Sequence, residues 1–390
     1  MKNELLEKFI KEYGKSATGY VQSGGRFEML GNHTDHNHGK TLASTCSLVI
    51  EGVYCKEDNN LVRLVSEDQC KYEISIENTD YVEETVDKSA CFIRGIADYL
   101  KKHGYKYGGF SVYTKSSVPP GAGVSSSAAF EILLGKIFND LYNNNEISIL
   151  DLCKAGQYAE NHYFGKKSGL LDQIACASMG VSYIDFGNVE KPQIEIIHNS
   201  FPGYQFVIVD TGKSHAELGH LYSSITCDMW NAAKKMGHEY LRECSKDELE
   251  RIKPSLTEGE YNRSKHFFDE NERVEKGLKS LKNNDFAGFL DCVRGSEASS
   301  RTLLKNAMID GKYEGSLAEA IDIANDAMDH LGAAKINGGG FGGSIICIVP
   351  ISKLDKFTCI MKERYGKNHV FIVSILNEAK EQMLCNLRKV

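Results

Sequence analysis

The sequence predicts an α+β protein built from two domains, and three observations lead to this prediction. The chain has 390 residues, 42% of them apolar, which suffices for more than one hydrophobic core. Strand-like runs at 48–54 and 110–113 alternate with helical patterns at about 91–103, 126–142 and 148–164. A strand pattern restarts near 181, and helical patterns continue through about 225–290. We therefore predict domains at 1–185 and 186–390, with the boundary near 180–195, where residues 187–192 are the most turn-rich stretch between strands.

The composition indicates which kinds of ligand the protein binds and in which compartment it is found. The net charge is −7, without a long basic run or a membrane-length apolar segment, which argues against nucleic-acid and membrane partners. Residues 1–10 alternate charged and apolar side chains and predict a surface helix rather than a signal. Twelve cysteines are scattered, none in Cys-x-x-Cys, as in a cytoplasmic protein with reduced, buried thiols. We expect a small-molecule ligand; the oligomeric state stays open, and a monomer is compatible with the sequence.

The segment 24–39 is crowded with polar side chains after a short strand-like run, which is typical of a ligand-binding turn. His33, Asp35, His36 and His38 could share a metal ion, as in a metallohydrolase. Side chains so close together in a loop point in several directions, however, and no distant His or Cys pair completes a metal site. Hydrogen bonding to a polyhydroxylated ligand is the favoured interpretation, and the metal site remains an alternative.

The segment 118–129, Val-Pro-Pro-Gly-Ala-Gly-Val-Ser-Ser-Ser-Ala-Ala, places a glycine turn and three hydroxyls before an apolar helix. Gly121 and Gly123 let the backbone approach an anion, and the N–H groups at the helix start supply the attraction. Ser125 or Ser126 is expected to cap the helix. A Walker loop would need a lysine, so a different kind of phosphate loop is indicated. The alternative is an ordinary turn without a ligand.

Two carboxylates and a second glycine-rich segment complete the set of candidate features. Glu160 and Asp172 lie among apolar residues and glycines, which suggests one carboxylate for a metal ion and one for proton transfer. A surface Glu and a helix-capping Asp would explain them equally well. Residues 335–344, Lys-Ile-Asn-Gly-Gly-Gly-Phe-Gly-Gly-Ser, could close over a ligand or form a tight turn with a bulge.

Taken in order, these segments resemble the three motifs of the GHMP kinase superfamily, and among its members they are most similar to galactokinases. The family signature Gly-Arg-x-Asn-Leu-Ile-Gly-Glu-His-Thr-Asp-Tyr-Asn is matched at 25–37, and the phosphate loop at 120–129. Gly-Ile-Met-Asp-Gln is matched at 169–173, and Gly-Ala-Gly-Phe-Gly-Gly at 338–343. The resemblance implies the two-domain GHMP kinase fold. Its N-terminal domain is like domain 2 of ribosomal protein S5, its C-terminal domain is ferredoxin-like, and the active site lies between them.

The resemblance also implies a role for each matched residue. Asp172 would act as the base for the sugar's anomeric hydroxyl, with Arg26 as its partner, because an arginine keeps its charge and holds the carboxylate ionised. Ser127 and Glu160 would bind Mg²⁺. The remaining implied contacts fall into two groups. ATP phosphates would be bound by Gly121, Ala122, Gly123, Val124, Ser125, Ser126 and Ser127, and the sugar by Glu28, Asn32, His33, Asp35, Gly169 and Tyr222.

The chain departs from the family pattern at the sugar motif. The Asn and Glu of the signature appear here in exchanged order, as Glu28 and Asn32. His36 replaces the Tyr of the signature, and Ser-Ser-Ile-Thr at 223–226 replaces an arginine-rich run that the family has after Tyr222. If the side chains of residues 28 and 32 touch, the exchange is compensated and galactose remains the substrate. The other explanation is altered specificity, because Asn32 could donate hydrogen bonds to a uronic acid, although Glu28 argues partly against it.

The resemblance therefore implies an ATP- and Mg²⁺-dependent kinase that phosphorylates the C1 hydroxyl of galactose to galactose 1-phosphate. Galacturonate and N-acetylgalactosamine stay as alternative substrates. A sensor that binds galactose and ATP without turnover is a second class of function, although the presence of Arg26, Ser127, Glu160 and Asp172 argues against it.

Overall fold

The structure is a computed structural model that describes residues 2–67, 71–80, 88–165, 168–212 and 219–377. The chain forms two compact units. The first contains residues 1–25, 46–119 and 125–177, and the second contains residues 26–45, 120–124 and 178–390. The chain enters the second unit for the last time at Ser178, close to the predicted boundary at 185/186. The domain division itself stays a prediction.

The first unit combines a sheet with helices that bury their apolar faces. Strand β2 pairs antiparallel with β5, β5 pairs parallel with β3, and β3 pairs antiparallel with β4; β1 pairs with β2. Strands β1 and β2 continue into the second unit. The elements in chain order are α1 (Lys2–Tyr13), β1 (Gly19–Leu30), β2 (Lys40–Lys56), β3 (Leu61–Ser66), β4 (Lys71–Ser75), α2 (Lys88–Lys102), β5 (Phe110–Ser116), α3 (Ser126–Asn143), α4 (Ile149–Ala159) and α5 (Leu171–Ala177).

The second unit contains a four-stranded antiparallel sheet in the order β11-β8-β10-β9, covered by an apolar cluster from α10, α11 and the strands. The first residues of β2 pair with β6, and β6 pairs with β7. The elements are β6 (Val181–Asp185), β7 (Gln193–Ile197), β8 (Tyr204–Asp210), α6 (Gly219–Lys235), α7 (Lys246–Ile252), α8 (Glu258–Lys282), α9 (Phe286–Ser299), α10 (Leu317–Ala327), β9 (Ala333–Asn337), β10 (Ser344–Pro350), α11 (Leu354–Tyr365) and β11 (Val370–Val373).

The α+β class is confirmed, and the differences from the predicted elements have physical causes. The N-terminal helix forms, but Leu5 and Phe9 pack with Val53 in the core, so the helix is not simply a surface helix. The helix predicted to end at 164 changes at Glu160 into a wider π-helical turn, Glu160–Phe164. The strand that follows the second glycine-rich segment, β10, is itself followed by α11 and β11.

The cysteine prediction is correct for most of the described thiols and wrong for two. Cys227 and Cys359 are exposed, whereas Cys46, Cys55, Cys91, Cys153, Cys176, Cys292 and Cys347 are buried and Cys244 is half-buried. Cys70 and Cys385 lie outside the described residues. Across the described ranges, no helix combines the length and apolar character needed to cross a bilayer.

Candidate functional site

Ser125 begins the helix of the phosphate loop in an unusual conformation. It is the residue before α3, with φ 57° and ψ 55°, a left-handed conformation that a non-glycine residue adopts at an energetic cost. Its side chain does not cap the helix, so the capping expectation is wrong. Instead, Ser125 Oγ donates a hydrogen bond of 2.6 Å to Asp172 Oδ2, in the first turn of α5. The loop and the predicted base are therefore in direct contact.

Ser127 and Glu160, the predicted magnesium ligands, also meet in the first unit. Ser127 Oγ donates to Glu160 Oε1 over 2.9 Å, and Gln173 Nε2 donates to Glu160 Oε2 over 3.2 Å. The same Gln173 amide donates to Glu131 Oε2 over 2.9 Å. Glu160 lies at the start of the π-helical turn, a local widening that is frequent at functional sites. The turn thus directs a buried carboxylate at the helix of the phosphate loop.

Residues 121–124 of the loop belong to the second unit, where Arg26 and Asn337 hold them. The Arg26 guanidinium and the Asn337 amide both donate to the carbonyl of Gly123, the latter over 3.0 Å. The Arg26 N–H donates to the Val124 carbonyl over 3.0 Å. Arg26 and Asp172 lie in different units, so their predicted pairing stays a prediction.

Glu28 and Asn32 touch each other. Asn32 Nδ2 donates to Glu28 Oε1 over 3.1 Å, which is the contact that the compensation hypothesis requires. The same carboxylate oxygen accepts a hydrogen bond of 2.9 Å from Lys335 Nζ. The Lys335 side chain is 0% exposed and that of Glu28 5%, so this is a buried ion pair. The Glu28 carboxylate is thereby committed to a cation within the protein.

The Asn32 amide is fully engaged by its neighbours. Besides Glu28, its Nδ2 donates to the Gly338 carbonyl over 2.6 Å. Its Oδ1 accepts from Asn306 Nδ2 over 2.9 Å and from the Ser300 hydroxyl over 3.4 Å. An amide has two N–H donors and one carbonyl oxygen, so these contacts use its hydrogen-bonding capacity. Asn32 therefore joins the first and third motifs.

His33 and His36 form a chain of hydrogen bonds with one consistent set of protons. Asn37 Nδ2 lies 3.0 Å from His36 Nδ1, and His36 Nε2 lies 3.2 Å from His33 Nδ1. His33 Nε2 lies 2.8 Å from the Gly339 carbonyl. The Leu241 N–H donates to Asn37 Oδ1, which fixes the orientation of that amide. Each ring therefore carries its proton on Nε2, and both imidazoles are neutral.

The pKa values agree with this neutral chain. Burial lowers the pKa of His33 to about 4, although the bond to the Gly339 carbonyl opposes the change. Burial, and secondarily the neighbouring His33, lowers the pKa of His36 well below its ordinary value. Both rings act as neutral hydrogen-bonding groups at physiological pH.

Three consecutive carbonyls of the glycine-rich segment 338–343 are held by side chains. The Gly338 carbonyl accepts from Asn32, and that of Gly339 accepts from His33 and, over 3.0 Å, from Asn306. The Tyr222 hydroxyl donates to the Gly340 carbonyl over 2.8 Å. A Cβ on Gly339 would lie 2.0 Å from the Tyr222 ring, so only glycine fits at that position. Three residues predicted to bind sugar thus also fix this loop.

The metallohydrolase alternative finds no support in the described part of the chain. No group of three or more His, Cys, Asp or Glu side chains is arranged there to hold a metal ion. The His33 and His36 nitrogens are used in the chain described above, and His38 stacks on Tyr240 with ring centroids 3.8 Å apart. The remaining predicted sugar ligands are Asp35, which is half-buried, and Gly169, which is exposed.

Comparison with protein-family models matches residues 7–54 to the galactokinase galactose-binding signature and residues 91–180 to the GHMP kinases N-terminal domain. A galactokinase from Lactobacillus helveticus is 31% identical over 378 residues, which cover 94% of this chain and 93% of that protein. The chain belongs to the galactokinase family. A galactokinase from Actinobacillus pleuropneumoniae serotype 5b (strain L20) is 30% identical, with 93% of each chain covered. The predicted enzyme class, a sugar kinase, is confirmed by this membership.

Solved structures confirm the predicted GHMP kinase fold. Lactococcus lactis galactokinase complexed with galactose has a TM-score of 0.82 at 24% identity, and the match covers 96% of this chain and 98% of that one. The mevalonate kinase of Methanococcus jannaschii has a TM-score of 0.64 at 17% identity, with 92% and 98% covered. The architecture is thus shared across GHMP kinases of different substrates.

Several residues that hold the predicted site residues in place had no role predicted from the sequence. Lys335, Asn337 and Asn306 bind the first motif, the phosphate loop or the third motif, and Gln173 bridges two carboxylates. Lys335 carried a usable signal, because a lysine between Ala334 and Ile336 in a buried strand pattern needs a buried partner. The other three are amides, whose partners cannot be inferred from spacing.

Proposed function

We propose that this chain transfers the γ-phosphoryl group of ATP to the anomeric hydroxyl of galactose, with Asp172 as the base. The observation that carries the proposal is the 2.6 Å hydrogen bond from Ser125, in the phosphate loop, to the Asp172 carboxylate. It fixes a carboxylate beside the backbone N–H groups at the start of α3, where a helix attracts phosphate. In phosphoryl transfer the protein acts chiefly by positioning and by electrostatics, and this arrangement supplies both.

Asp172 would accept, or orient, the proton of the sugar's C1 hydroxyl. An alcohol is a weak nucleophile at neutral pH, and a positioned base contributes roughly 10²–10⁴-fold. The Ser125 hydroxyl would hold the Asp172 carboxylate in place beside the loop. Arg26 would steady the loop, and its fixed positive charge would attract the phosphoryl group.

The residues present fit a magnesium ion held jointly with the nucleotide. Ser127 and Glu160 offer the hydroxyl and carboxylate oxygens that Mg²⁺ prefers. The two oxygens lie 2.9 Å apart, so both residues could hold one ion. ATP oxygens and water would complete the coordination, and the bound ion would neutralise phosphate charge.

Galactose is the favoured sugar because the relatives and the contacts at residues 28 and 32 point to it. Three relatives that are at least 30% identical are galactokinases, and residues 7–54 match a galactose-binding signature. A uronate carboxylate would need free donors, yet both Asn32 N–H groups are committed to Gly338 and Glu28. The neighbouring Glu28 carboxylate would also repel it. Galacturonate is therefore disfavoured as a substrate.

An ADP-release assay with galactose, galacturonate, N-acetylgalactosamine and glucose tests the proposal. We expect turnover with galactose and a loss of at least about 100-fold in kcat for Asp172→Asn, which keeps the shape but removes the base. The matched control is Asp151→Asn, since Asp151 also lies in the first turn of a helix, α4. If none of the four sugars releases ADP above the Asp172→Asn background, the proposal is wrong. Binding of galactose and ATP without turnover would instead identify a sensor.

A further inference from the structure

The side chain of Asn337 joins three segments that are distant in the sequence. Asn337 is the last residue of β9 and is 1% exposed. Its Oδ1 accepts from the Glu28 N–H over 3.0 Å, and its Nδ2 donates to the Gly123 carbonyl over 3.0 Å and to Ser344 Oγ over 3.2 Å. A flipped amide would set N–H against N–H at Glu28 and oxygen against oxygen at Gly123. The amide orientation is therefore determined by its partners.

The carbonyls of Gly123 and Val124 are held by hydrogen bonds, which fixes the direction of the Val124 and Ser125 N–H groups. In a trans peptide the C=O and the following N–H point in opposite directions. The Gly123 carbonyl is held by Asn337 and Arg26, and the Val124 carbonyl by the Arg26 N–H. The N–H groups of Val124 and Ser125 consequently point away from Arg26 and Asn337. Two successive N–H groups directed to one side form an anion-binding concavity.

The anchor at Gly123 is rigid because it belongs to a sheet. Asn337 and Ser344 face each other in the antiparallel pairing of β9 and β10. Gly123 lies so close to this pair that an added Cβ would be 2.7 Å from Ser344 Oγ. Its φ of 67° is a left-handed conformation that glycine adopts without strain. The loop is therefore supported by this sheet as well as by Arg26.

We propose that Asn337 is a positioning residue for the nucleotide: it holds the Gly123 carbonyl so that the N–H groups of Val124 and Ser125 face the phosphates before ATP binds. This inference rests on the proposed function of the 121–127 loop. Donors that are oriented in advance bind an anion without the cost of ordering the loop. Asn337 acts through the backbone and touches neither substrate.

The test is the Kd of Mg-ATP, measured by calorimetry on the full chain, together with the KM of galactose. Asn337→Ala should weaken Mg-ATP binding about ten-fold, because among the bonds it removes is the one that holds the Gly123 carbonyl. Asn337→Asp keeps the acceptor for the Glu28 N–H but replaces the donor at Gly123 with an oxygen. It should weaken Mg-ATP binding at least as much, while the KM of galactose changes far less.

The matched control is Asn271→Ala, in the same unit. The Asn271 amide accepts from the Lys40 N–H over 2.7 Å and donates to the Phe267 carbonyl over 2.9 Å. Asn271→Ala should lower the unfolding temperature without changing the Kd of Mg-ATP. If folded Asn337→Ala and Asn337→Asp bind Mg-ATP as the unmodified chain does, the inference is wrong. Asn337→Ser replaces the alanine variant if that one does not fold. If the unmodified chain binds Mg-ATP but does not turn over galactose, the proposed function alone is refuted. The Kd values of the unmodified chain and the Asn337 variants then still test this inference.

Discussion

Replacing Lys335 with methionine should destabilise the protein far more than the loss of an ordinary ion pair. Lys335 Nζ and Glu28 Oε1 are 2.9 Å apart, with the two side chains 0% and 5% exposed. Lys335→Met leaves the Glu28 carboxylate buried without its cation. Removing one partner of a buried pair costs about 3–5 kcal/mol, because the remaining charge has lost its solvation and its partner.

A second variant separates the lost charge from the changed shape. Glu28→Gln in the Lys335→Met background removes the uncompensated charge, and the amide can still pair with Asn32. We expect the double variant to recover most of the lost free energy of unfolding, to within about 1 kcal/mol of the unmodified chain, since a buried pair contributes little net stability. The stabilities of the four chains of this cycle give the coupling between the two side chains directly.

Urea unfolding followed by the fluorescence of Trp230 measures these stabilities. Trp230 is the chain's single tryptophan and lies on α6. It belongs to the second unit, as do Lys335 and Glu28. The control is Lys282→Met, which breaks an exposed pair with Glu195 at 2.8 Å and should cost less than about 1 kcal/mol. If Lys335→Met lowers the free energy of unfolding no more than this control does, Glu28 and Lys335 do not form a buried ion pair in the first motif.

Two further predictions concern the loop and the histidine chain. Ser125→Gly keeps the left-handed backbone but removes the hydroxyl that holds Asp172; kcat should fall about ten-fold in the ADP-release assay, and an unchanged kcat would exclude this contact from catalysis. His33 has a folded pKa of about 4 against an ordinary 6.5, so the stability it contributes is complete above pH 6.5 and declines towards pH 4, by at most about 3 kcal/mol. The amide of His33→Gln can donate to Gly339 and accept from His36, so this variant should lose less stability than the unmodified protein between pH 6.5 and 4.5. Urea titrations at the two pH values measure the losses, and equal losses would contradict the assignment of neutral histidines.

The parts of the site that depend on local chemistry were predictable from the sequence. The glycine turn and the helix start at 121–127 follow from residue types in one segment, and α3 begins and ends within a residue of the predicted 126–142. The contact of Ser127 with Glu160 agrees with the pairing that the family resemblance implied. The left-handed Ser125 was not predictable, because its side chain is bound by Asp172 rather than by the helix N–H groups.

Contacts between distant segments were beyond the sequence analysis. Lys335 and Glu28 are separated by 307 positions, and periodicity does not reveal that side chains of β9 reach β1. The buried face of α1 was missed for a related reason. Leu5 and Phe9 are one helical turn apart, but the surrounding charges made the segment resemble a surface helix. The domain division, the site roles and the Arg26–Asp172 pairing remain predictions.

The three held carbonyls of residues 338–340 restrict how such a chain can be recombined with its relatives. Asn32, His33 and Tyr222 each hold one of them, and Gly339 has no room for a side chain. A chimera that exchanges residues 26–39 alone would replace Asn32 with the glutamate of the family signature and lose its hydrogen bond to the Gly338 carbonyl. The two segments, although about 300 positions apart, form a single module for protein engineering and must be transferred together.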